Sequence, residues 1–110
     1  MGYLERLDSY RDDMLRTLKE SISMPSVKSD PVKTAEGDLL PYGRGVHDSL
    51  MHMLGVGAAM GFESHNVDNY AGYIDYKVAD DKAADAKTFG IVGHLDVVPT
   101  GSGWETDPFE

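Results

Sequence analysis

The chain has 110 residues and a mass of 12.0 kDa, which is room for one small domain with one modest core. Apolar residues make up 41% and no apolar run approaches the ~20 residues that span a bilayer, so wholesale disorder and a membrane-spanning helix are excluded. Ten Lys and Arg against 19 Asp and Glu give a net charge of −9, a poor match for nucleic acid or an anionic membrane, and the lack of cysteine excludes disulfides and thiolate metal sites.

The opening residues, Met1 to Arg6, have no basic region followed by an apolar one. With no secretory pattern and no cysteine, a cytoplasmic location is expected. From Tyr3 to Ser23, Leu4, Leu7, Met14, Leu15, Leu18 and Ile22 recur at helical spacing and predict one amphipathic helix. Met24-Pro25 ends it, because proline lacks the amide hydrogen and its ring clashes with the preceding turn. Val27 to Leu40 is polar, is broken by Pro31 and Gly37, and reads as an extended loop.

A second helix is predicted from Gly45 or Val46 to Met60, with Val46, Leu50, Met53, Leu54 and Ala58 on its apolar face. Gly55 and Gly57 each cost about 1 kcal/mol against alanine there, which close packing on a neighbour would offset. Gly61 is the expected stop. Phe62–Val67 and Gly72–Val78 read as strands joined by a turn at Asp68-Asn69-Tyr70-Ala71. After the charged connector Ala79–Lys87, the apolar run Thr88–Gly93 predicts a buried strand covered on both faces. The order helix, loop, helix, hairpin, strand predicts an α/β fold, a mixed sheet flanked by helices. That sheet is incomplete, because few elements remain to flank its most apolar strand.

Chemistry concentrates in Gly93-His94-Leu95-Asp96-Val97-Val98-Pro99 and the Gly101-Ser102-Gly103-Trp104 and Asp107-Pro108-Phe109 that follow. Side chains alternate along an extended chain, so His94 and Asp96 face the same way. An imidazole is a good zinc ligand, and a carboxylate beside it fixes its ring. Trp104 and Phe109 are expected to pin the loop to the core. A histidine merely bonded to a neighbouring carboxylate is the structural alternative.

His47 and His52 lie about 140° apart on a helix and do not converge, so both read as solvated or locally bonded, and His65 reads as structural. Gly43-Arg44-Gly45 and Gly55-Val56-Gly57 complete no nucleotide-binding fingerprint.

The segment from Gly93 to Glu110 resembles the first metal-site motif of the M20 family of metallopeptidases. Ile22 to Val27, Pro41 to His47 and Asn69 to Gly72 resemble the PepV-type bacterial dipeptidases (Xaa-His dipeptidases) within it. The resemblance runs over nearly the whole chain, and the stretch from Gly93 onward is its specific part. It implies that residues 1–110 are the amino-terminal portion of a catalytic domain, with no internal boundary. It also implies a two-zinc hydrolase acting on dipeptides. In that family the motif histidine binds metal and the aspartate two residues on orients its ring, roles that fall to His94 and Asp96. The other metal-holding carboxylates, the second histidine and the glutamate general base match no position here. A catalytic zinc site usually has three protein ligands, so the 110-residue chain alone is expected to hold zinc weakly and to be inactive.

Two other readings stand beside this one. A non-catalytic binding or assembly module would self-associate through open sheet edges. A family member that deacylates amino acids would share the metal motif.

Overall fold

The computed structural model describes residues 2–110. Its elements in chain order are α1 (Tyr3–Ser9), α2 (Arg11–Ile22), β1 (Val32–Lys33), β2 (Leu39–Leu40), α3 (Arg44–Ala59), β3 (Glu63–Val67) and β4 (Ala71–Asp75), followed by a 3-10 helix at Asp80–Asp85. The fold is α/β with an incomplete sheet, as its sequence pattern implies. Among the described residues the strands form two separate antiparallel hairpins, β1–β2 and β3–β4, and the parallel element is one isolated bridge, Val27 to Val97.

The single amino-terminal helix expected from the apolar spacing is two helices. The Ser9 hydroxyl donates to the Arg6 carbonyl at 2.6 Å, and the Tyr10 amide bonds Leu7 rather than Arg6. A side chain that takes a backbone carbonyl competes with the helical ladder and tightens its last turn. Beyond that break, Ser23 is the C-cap of α2 and Pro25 follows it. The apolar stripe of α1 and α2 faces solvent, with Leu4, Leu7, Met14, Leu18 and Ile22 all exposed.

Val27 to Leu40 is mostly irregular, with the short β1–β2 hairpin inside it. Val32 pairs with Leu40 and Lys33 with Leu39, and the Thr34 hydroxyl accepts the Asp38 amide across the turn. Among the described residues, Leu40 is one of two buried hydrophobic side chains, and Leu54 of α3 is the other.

The best-packed unit is α3 against the β3–β4 hairpin. Its register runs from Glu63 opposite Asp75 to Val67 opposite Ala71. The turn places Asp68 and Asn69 at φ 50° and 61°, a left-handed region that short polar side chains tolerate better than others. Gly57 lets Ile74 and Ser64 approach α3, and a Cβ there would stand 2.7 Å from Ile74 Cδ1. Gly55 has no such neighbour within 4 Å, so close packing accounts for one of the two helix glycines and not the other. Gly61, at φ 89°, follows the Met60 cap and ends the helix as expected.

Residues 88–93 form no strand. Phe89, Ile91 and Val92 are 88%, 90% and 96% exposed. A strand needs a partner ladder for its amides and carbonyls, and among the described residues none lies beside this run. The Cα radius of gyration is 17.2 Å, against roughly 13 Å for a compact domain of this length. Among the described residues no helix is long and apolar enough to cross a membrane.

Candidate metal centre

His94 and Asp96 meet, as their spacing requires. His94 Nδ1 lies 3.0 Å from the Asp96 backbone carbonyl and 3.3 Å from the Asp96 carboxylate Oδ1. Both neighbours are acceptors, so Nδ1 is the donor, and in the neutral ring Nε2 then keeps its lone pair. The backbone carbonyl is a closer partner of the ring than the expected carboxylate. The side chains are 82% and 59% exposed, so the pair stands at the surface rather than at the end of a buried strand.

The segment is held from the other end of the chain. The Ser26 hydroxyl donates to the Leu95 carbonyl at 2.8 Å, and the Ser26 carbonyl accepts the Val97 amide at 3.1 Å. Ser26 is 3% exposed. Sequence reasoning missed this residue, since a pairing across 69 positions leaves no local periodic mark.

A cleft of about 480 Å³ opens beside the pair, with Ile22, Met24, Ser49, His94, Trp104 and Phe109 among its walls. Trp104 ties the loop to itself, its indole N–H donating to the Thr100 carbonyl at 2.7 Å, and it remains 57% exposed. Phe109 is half-buried in the cleft wall. A second hollow of about 390 Å³, lined by Pro31, Leu39, Tyr42 and Tyr70 among others, includes neither His94 nor Asp96.

The donor set fits a metal as a partial site. His94 offers one free nitrogen with its ring anchored, and no second ligand converges on it among the described residues, whereas catalytic zinc usually takes three.

The one convergent group of three among the described residues is Glu63, His65 and Asp75, whose ligand atoms lie within 4.8 Å of one another. Register explains it. Glu63 faces Asp75 across the hairpin, and His65 is two residues along on the same face. Like charges directly opposite repel, and Lys77 supplies the balancing cation, its ammonium 2.6 Å from Glu63 Oε2. That hydrogen bond, with His65 at 3.6 Å adding less, holds the Glu63 carboxyl below its ordinary range and raises Lys77. His65 also stacks on Tyr73 with ring centroids 4.6 Å apart.

The other two histidines each bury one ring nitrogen. His47 Nδ1 and His52 Nε2 are buried without a hydrogen-bond partner, and the nearest charge to His52 Nε2 is Glu20, at 4.0 Å.

No family model matches the chain. It is 38% identical over 105 residues to "Putative dipeptidase SSP1012" of Staphylococcus saprophyticus, and 36% identical over 99 residues to "Putative dipeptidase YtjP" of Bacillus subtilis. It is also 34% identical over 110 residues to the "Beta-Ala-Xaa dipeptidase" of Lactobacillus delbrueckii. These matches cover 96%, 90% and 100% of the chain. The chain is a homologue of bacterial dipeptidases. It spans about a fifth of the length of these curated relatives, at 20%, 19% and 22%.

Proposed function

We propose that this dipeptidase homologue supplies part of the metal centre of an M20-type peptidase, with zinc held at His94 Nε2 and the ring oriented by Asp96. The observation that carries the reading is the anchored imidazole. Nδ1–H is committed to Asp96, so the remaining nitrogen is the metal-binding one. Homology to proteins named as dipeptidases supports a dipeptide as the substrate. The chemistry supplied by bound zinc is polarisation of the peptide carbonyl and acidification of water.

Within this chain, His94 binds, Asp96 holds the proton at Nδ1, and Trp104 and Phe109 wall the adjoining cleft. In this reading the 110-residue chain alone is inactive, because no second metal ligand converges on His94 among the described residues. Activity belongs to a longer protein that adds the missing ligands.

The test is a segment exchange. The matched segment of the Lactobacillus relative is replaced by these 110 residues, and hydrolysis of a β-alanyl dipeptide is followed with zinc present. The exchanged enzyme is expected to turn over substrate, and the 110-residue chain alone to stay at the buffer rate. Turnover by the isolated chain well above buffer contradicts the inactivity. A folded, zinc-loaded exchanged enzyme without dipeptide hydrolysis contradicts the substrate assignment.

A further inference from the structure

We infer that Ser26 is a positioning residue for the metal-binding imidazole, clamping the backbone on both sides of Asp96; this rests on the reading of His94 as a metal ligand. Two peptide planes flank the Asp96 Cα, and Ser26 grips each. Its hydroxyl donates to Leu95 C=O at 2.8 Å, and its carbonyl accepts Val97 N–H at 3.1 Å. A trans peptide is planar, with C=O and N–H pointing opposite ways. Holding the Val97 N–H therefore aims the Asp96 C=O away from Ser26, and that carbonyl is the acceptor of His94 Nδ1 at 3.0 Å. The chain of constraint runs from Ser26 to the Asp96–Val97 peptide, and from there to the His94 ring.

Ser26 is itself fixed. It is 3% exposed, and its amide donates to Met24 C=O at 2.8 Å. The preceding residue abuts α3, where a Cβ at Gly45 would fall 2.0 Å from the Pro25 carbonyl oxygen. The next residue, Val27, forms the parallel bridge to Val97. Without this clamp the exposed 88–98 segment has no element of its own to fix the direction of the ring. Groups that orient a ligating histidine typically change metal affinity 10–100-fold when removed.

The experiment compares the 110-residue chain with Ser26→Ala and Ser26→Thr. Zinc ion alone is titrated against the His94 ring signals in NMR, and amide hydrogen exchange is read at Val97. In the parent, Val97 is expected to exchange at least about tenfold more slowly than Gly93, which has no such partner. Ser26→Ala is expected to weaken zinc binding at His94 by about tenfold and to speed Val97 exchange. Ser26→Thr, which keeps the hydroxyl, is expected to stay within about threefold of the parent. Exchange at His65 and Tyr73 in the hairpin reports folding and is expected to stay constant.

Unchanged zinc binding and Val97 exchange in a folded Ser26→Ala chain overturns the proposal. So does a parent Val97 amide as fast as Gly93, a result that needs no variant. A parent His94 with no zinc response overturns the metal reading and Ser26's role towards a metal. A protected Val97 in the same sample separates that failure from failure of the clamp.

Discussion

Replacing Gly45 with alanine is expected to destabilise the chain by about 1–3 kcal/mol, whereas replacing Gly55 is expected to stabilise it by about 1 kcal/mol. Both glycines lie in α3, and intrinsic propensity favours alanine at each. Their surroundings decide the sign. A Cβ at Gly55 meets nothing within 4 Å. A Cβ at Gly45 meets the Pro25 carbonyl oxygen at 2.0 Å, a backbone atom that cannot rotate aside. Relief requires the first turn of α3 to part from Pro25 and Ser26, which also pulls on the Leu95–Val97 backbone. Urea unfolding monitored by circular dichroism separates the two cases. A Gly45→Ala midpoint at or above that of the parent contradicts the packing described for Pro25.

The largest effect on chemistry is expected at His94. In an active exchanged enzyme, His94→Ala is expected to lower kcat/KM by about a thousandfold, equivalent to about 4 kcal/mol of barrier. Asp96→Asn is expected to cost about 10–100-fold, because it weakens the ring's orientation without removing the ligand. His65→Ala serves as the control, since that ring stacks on Tyr73 and faces Glu63 in the hairpin, and turnover is expected to stay within about threefold of the parent. A His94→Ala enzyme with full turnover, or a His65→Ala enzyme as impaired as His94→Ala, contradicts the assignment. The ordering His94, then Asp96, then His65 is the discriminating feature.

Legibility in the sequence follows the range of the interaction. The helix α3 and the β3–β4 hairpin are written locally, in apolar spacing, in Gly61 as a stop and in the Asp68-Asn69 turn, and they lie within a few residues of the expected positions. The break at Ser9 depends on one hydroxyl choosing a backbone carbonyl, which periodicity does not record. Thr88–Gly93 has the composition of a buried strand, but composition supplies no partner ladder, and the run is irregular and solvated. The β1–β2 hairpin has strands of two residues each, too short to leave an alternating pattern.

At the site, the pairing of His94 with Asp96 follows from alternation along the chain. The closer role of the Asp96 carbonyl, and the grip of Ser26 on both flanking peptides, are tertiary facts with no local signature. The Glu63, His65 and Asp75 cluster is intermediate, because it follows from the hairpin register once that register is known.

The deciding property of the site is which nitrogen of which histidine meets a metal. Long-range nitrogen–proton NMR of the 15N-labelled chain, recorded while zinc ion is added, reads this atom by atom. The predicted result is a zinc-dependent shift at His94 Nε2, with Nδ1 remaining protonated against Asp96 and the His47, His52 and His65 rings unmoved. A shift confined to His65, or zinc entering at His94 Nδ1 with loss of its proton, contradicts the account.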